Sequence, residues 1–67
     1  MNISDLKPTD LIDSKIVARM LGVSTKTIER WRLEGIGPQY VKLSKRVVRY
    51  KVQDVSDYVN GNIRRNT

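Results

Sequence analysis

The side chains best suited to chemistry in this chain sit close together: Thr25, Lys26, Thr27, Glu29 and Arg30 bring two hydroxyls, two cations and a carboxylate into six positions. Donors and acceptors of this kind suit the reading of base edges and phosphates. They are poorly suited to breaking bonds. The chain has no histidine and no cysteine, which excludes the common zinc sites and His- or Cys-based nucleophilic catalysis. Its seven acidic residues are scattered, and so small a domain leaves little room for a substrate pocket. The expectation is a binding module with no enzymatic activity and no cofactor or metal. A second basic group, Lys42, Lys45 and Arg46, follows about a dozen residues later and suits phosphate contacts.

Residues 13–32 supply the elements that must position the first group. Asp13 or Ser14 can accept from the free N–H groups that open a helix, and Ile16, Val17, Met20 and Leu21 then form one broad apolar stripe. Lys15 and Arg19 fall on the other side. Gly22 stands where that helix should stop, because the residue past a C-terminus often needs positive φ. Val23 fills the corner. Ser24 is the natural N-cap of a second helix, its hydroxyl reaching the N–H of Lys26 or Thr27.

At about 100° per residue, Ser24, Ile28 and Trp31 share the inner face of the second helix. Thr25, Lys26, Glu29, Arg30 and Leu33 point outward. Two helices fixed by a Gly-Val-Ser turn form a helix-turn-helix, in which the second helix can enter a DNA major groove while the first braces it. Arg30 is the first choice for guanine O6 and N7. Glu29 either accepts from cytosine N4 or holds Lys26 and Arg32 in place. Three roles fit Leu33: packing against a later element, touching a thymine methyl, or a protein contact. Packing is the plainest of them.

Gly35, Gly37 and Pro38 end the second helix. Gln39 to Tyr50 is β-branched and aromatic with partial alternation, interrupted by Ser44, Lys45 and Arg46, and reads as a short β-hairpin with a basic tip. The turn lacks the Asn-Gly or Gly-X pair of a tight two-residue loop, so a looser loop fits equally. Val41, Leu43, Val48 and Tyr50 are expected to lean on the helices, since an isolated hairpin is barely stable. Such a hairpin is the wing of a winged helix-turn-helix, with Lys45 and Arg46 as its DNA contacts and Lys42 in support; the plainer alternative is a basic tip that blocks edge pairing. Arg49, between Val48 and Tyr50, is expected to pair with Asp54 or Asp57. Val52, Val55, Tyr58 and Val59 recur at helical spacing and predict a closing helix of about two turns, capped by Gly61. The fold class is therefore mainly α with a small β-hairpin. Three segments are expected: an N-terminal extension over 1–10, with Leu11 and Ile12 as a hydrophobic lead-in, a winged helix-turn-helix over 11–60, and a flexible tail over 61–67.

The 67 residues carry a net charge of +6, unevenly placed. Residues 1–13 sum to −2 and residues 52–67 to zero, whereas residues 14–51 hold ten basic side chains against Glu29 and Glu34, a local +8. Charge concentrated on the recognition elements is the footprint expected for a phosphate backbone. No apolar run approaches membrane-spanning length, and the N-terminus lacks the order of a secretory signal. A bacterial cytoplasmic, DNA-associated location follows as an expectation.

Leu11 to Ser24, then Thr27-Ile28, Trp31, Glu34-Gly35, Gly37-Pro38, Val47 to Tyr50, Asp54-Val55 and Tyr58-Val59 resemble the small excisionase and AlpA-type regulators, whose helix-turn-helix and wing are similar to those of the MerR group. One departure is Ser44, where that family commonly has Gly in the wing turn. The resemblance implies a phage or mobile-element protein that binds and bends attachment-site DNA, so that a site-specific integrase assembles for excision. It also implies an alternative role as a transcriptional regulator at a promoter. On matching positions, Thr25, Lys26, Glu29 and Arg30 would occupy the major groove, and Lys45 and Arg46 would sit at the wing. The expected partners are double-stranded DNA, an integrase and neighbouring copies on DNA; the tail from Asn62 to Thr67 reads as an ordinary loose end, with ordering on an integrase or a neighbouring copy as the alternative. A protein-interaction module that uses the same scaffold without DNA is the reading from another class.

Overall fold

A computed structural model describes residues 5–63. Residues 64–67, where Arg64 and Arg65 of the expected flexible tail fall, lie outside the described residues, as do residues 1–4 of the expected N-terminal extension. The element order is β1 (Leu11–Ile12), α1 (Ser14–Leu21), α2 (Thr25–Glu34), β2 (Val41–Lys42), β3 (Val48–Lys51) and α3 (Val52–Gly61). Three helices carry a small antiparallel sheet in the order β1-β3-β2, the architecture of a winged helix-turn-helix.

Local chemistry sets the limits of the first two helices. The Asp13 carboxylate accepts from the Ile16 N–H at 3.0 Å, which makes Asp13 the N-cap of α1 and frees Ser14 for another role. Past the C-terminus, Gly22 has φ 70°, and Val23 N–H reaches back to the Ala18 carbonyl at 3.0 Å. This six-to-one bond satisfies a carbonyl that the helix leaves free and turns the chain sharply into the corner. Ser24 then caps α2, accepting from Thr27 N–H at 3.1 Å. Gly35 ends α2 in the same manner as Gly22 ends α1.

Leu11 and Ile12, expected as a lead-in to the first helix, instead form an edge strand that pairs with Lys51 and Tyr50. The pairing makes β3 the central strand and ties the start of the chain to its last third. α3 has no side-chain cap, and its leading N–H groups are met by the chain before β1: Val52 N–H donates to the Asp10 carbonyl at 3.1 Å and Gln53 N–H to the Pro8 carbonyl at 3.0 Å. Helix α3 runs ten residues, longer than the two turns expected. Gly61 is its last helical residue and not its cap; Asn62 takes that place at φ −105°, so no left-handed residue is used there.

The core consists of Ile12, Val17, Ala18, Ile28, Tyr50 and Val55, with Leu6, Ile16, Met20, Leu21, Val23, Trp31, Val48 and Val52 packed around it. Sheet, α1, α2 and α3 all contribute, so the domain has one core. Of the hairpin residues expected to lean on the helices, Tyr50 is fully buried and Val48 packs on the core, but Leu43 is 55% exposed because it sits beyond the last paired residue of β2. The loop is the looser form: Leu43 N–H donates to the Val47 carbonyl at 2.8 Å, closing residues 43–47. Ser44 costs the wing nothing in backbone strain, since no non-glycine among the described residues has positive φ.

Candidate nucleic-acid interface

The first turn of α2 is locked before it meets any ligand. Ser24 Oγ accepts from the backbone of Thr27 and lies 2.9 Å from the Thr27 hydroxyl. Thr27 thus completes the cap, and its side chain is half-buried. Lys26, Glu29 and Arg30 are exposed on the outward face, as expected. Arg30 Nε lies 3.7 Å from Glu34 Oε1, one helical turn on. Both side chains are more than half exposed, and such a pair is worth little in water, so Glu34 does little to immobilise Arg30.

Arg32 departs from the sequence reading. Glu29 does not hold it; its Nη1 donates to Ser14 Oγ at 2.8 Å and to Tyr50 Oη at 3.0 Å. The guanidinium carbon lies 6.0 Å from the ring centroids of both Tyr40 and Tyr50. This is within range for a cation to be attracted by an aromatic face. One side chain therefore ties α2 to α1 and to the central strand, and it gives the buried Tyr50 hydroxyl a partner. Its angle to α1 is held by that link as well as by the turn.

Trp31 is only half-buried. It packs against the core, meets Tyr58 of α3 at a centroid distance of 5.8 Å, and carries Gly37 on its ring. Leu33, one turn past Arg30, is 89% exposed and packs on nothing, which corrects the expectation that it leans on the wing. Its position at the far end of the outward face leaves it clear of both sheet and hairpin.

Lys42, Lys45 and Arg46 are all exposed on the hairpin. Lys45 lies in the bend of the loop, and Lys42 pairs across to Val48. Arg46 turns back toward the helices and lines a hollow together with Thr25, Lys15 and Arg49. Thr25, expected on the open outward face, is half-buried at this junction. Arg49 does not pair with Asp54 or Asp57. Its Nη1 donates to the Val48 carbonyl at 2.8 Å, while Asp57 accepts from Gln53 and both carboxylates border a separate hollow beside Gly37 and Pro38. Strand alternation carried a signal for this. With Val48 and Tyr50 turned to the core, the residue between them must point elsewhere.

The arrangement presents an exposed polar face on α2, a basic wing loop, and a basic hollow lined by residues of α1, α2, the wing loop and β3. No helix among the described residues is long and apolar enough to cross a membrane. Residues 11–63 match the family model described as a helix-turn-helix domain. No curated protein matches the chain.

Proposed function

The chain belongs to the helix-turn-helix domain family of excisionase and AlpA-type small DNA-binding proteins, and on that footing we propose that it is the excision factor of a phage or other mobile element. It is a small DNA-binding protein by family. In this reading Thr25, Lys26, Thr27, Glu29 and Arg30 form the recognition-helix contact region, with Arg30 on a guanine, and Lys42, Lys45 and Arg46 follow the backbone from the wing. The protein works in the bacterial cytoplasm on attachment-site DNA, bends it, and assists a site-specific integrase, with neighbouring copies binding cooperatively.

The observation that supports it best is that Thr25, the first residue of the recognition helix, and Arg46 of the basic wing loop line one hollow, while Lys26, Glu29, Arg30 and Lys45 are exposed. In a winged helix-turn-helix the helix enters the major groove while the wing follows the adjacent backbone, and a 7.7 kDa domain of this kind can bind beside a larger protein partner. In an excision assay with the integrase of its own element, attachment-site recombination should require this protein. Binding near a promoter with altered transcription, and excision that proceeds without the protein, would instead make it an AlpA-type regulator. Absence of salt-dependent binding to any duplex would overturn both.

A further inference from the structure

The hollow between α1, α2 and the wing has a volume of about 290 Å³, and four cations from separate parts of the chain line it. Lys15 comes from the first turn of α1, Arg32 from α2, Arg46 from the wing loop and Arg49 from β3, with the Thr25 hydroxyl beside them. One carboxylate, Asp13, also lines it, and that group is engaged in capping α1 through Ile16. None of the four cations forms an ion pair among the described residues, where the recorded pair is Arg30 with Glu34. Four like charges around one concavity repel one another, and a bound oxyanion relieves that cost.

Two of the guanidiniums are already held in place. Arg49 is fixed by the Val48 carbonyl, and Arg32 by Ser14 and Tyr50. Each of these bonds uses one Nη1 and leaves other N–H donors of the planar fork for a ligand. Guanidiniums suit tetrahedral oxyanions because two parallel N–H groups match two oxygens.

We infer that this hollow holds a single phosphodiester of the DNA backbone, gripped by Lys15, Arg46 and Arg49 with the Thr25 hydroxyl, and that this phosphate couples the recognition helix to the wing. The inference rests on the DNA-binding reading above and deepens it. Lys15 and Arg49 thereby join the binding surface. A phosphate seated here touches the first turn of α2 and the wing at once, and so fixes the depth of the helix in its groove. Arg32 acts from behind, as a positioning residue that sets the angle between α1 and α2.

The test uses the intact protein and a duplex that it selects from a random library, with the phosphates neutralised one at a time as methylphosphonates. One methylphosphonate should weaken the wild type roughly tenfold or more, the loss expected for a charged hydrogen-bond cluster. In Arg49→Gln and in Lys15→Gln, both checked for an unchanged unfolding midpoint, the same methylphosphonate should cost much less. Arg30→Ala should keep the full wild-type sensitivity. Lys15 is exposed, and its side chain has no hydrogen-bond or ion-pair partner among the described residues, so its variant remains informative if Arg49→Gln fails to fold. If the wild type binds its duplex and both variants remain as sensitive as the wild type at every position, the cradle is wrong and the DNA-binding reading stands. If no duplex is enriched and no salt-dependent binding is seen, both fail.

Discussion

Arg30 and Leu33 stand three residues apart on the exposed face of α2, and their surroundings assign them different tests. Among the described residues, Arg30 is anchored only by Glu34, at 3.7 Å in water. Arg30→Ala should therefore leave stability almost untouched and cost about 1 to 3 kcal/mol of binding, with relaxed preference at one base position. Binding selections on wild type and variant decide it; an equal loss on every sequence would make Arg30 a phosphate contact. Leu33, 89% exposed, supports no packing, so Leu33→Gln should shift stability by no more than about 0.5 kcal/mol. Trp31→Ala should cost about 2 to 3 kcal/mol, below the range for a fully buried indole because the residue keeps some exposure. Urea unfolding of the pair checks both, and comparable losses would show the inner face to be misassigned. At this scale periodicity made the outward Lys26, Glu29 and Arg30 legible. It could not reveal Arg32, whose partners Ser14 and Tyr50 each lie 18 residues away; helical spacing speaks only of neighbours three or four positions apart.

Among the elements, the turn and the junction after α2 differ in how firmly they demand glycine. Gly22 has φ 70° and open space around its Cα, so Gly22→Ala meets only the conformational penalty of the left-handed region. Gly37 has φ 87°, and a Cβ there would lie 2.8 Å from Trp31 Cε3. The indole is held by Tyr58 and the core, so it has little freedom to retreat. Gly22→Ala should cost about 1 kcal/mol and Gly37→Ala about 2 to 3 kcal/mol. Thermal unfolding of the two variants gives the comparison, and a smaller loss at Gly37 would mean that the tryptophan shifts freely. The helix-turn-helix was legible because caps, stripe and turn all lie within 20 consecutive residues. The strand at Leu11–Ile12 was not. Two residues are too short for an alternation signal, and the pairing that defines them is with Lys51 and Tyr50, at the far end of the domain. Nor could local spacing show that Asp54 and Asp57 face a hollow beside Gly37 and Pro38 while Arg49 lines a different one.

For the molecule as a whole, the placement of charge matters more than its sum. Salt dependence counts the phosphates a protein touches, with a log–log slope of about −0.9 for each contact on B-form DNA. The candidates for such contacts, Lys15, Lys42, Lys45, Arg46 and Arg49, lie on the wing and the hollow beside it, whereas Asp54 and Asp57 border a hollow with a different set of lining residues. At physiological salt, exposed charges farther apart than about 8 Å are largely screened from one another. Asp57→Lys raises the net charge from +6 to +8, twice the change that Lys45→Ala makes, yet it adds no cation to the wing. Its slope should stay within about half a unit of the wild type, while Lys45→Ala should flatten the slope by about 0.9. Titrations between about 50 and 200 mM salt on one duplex measure both. A steeper slope for Asp57→Lys with no change for Lys45→Ala would mean that the duplex lies against α3, and the assignment of the recognition surface to α2 and the wing would fail.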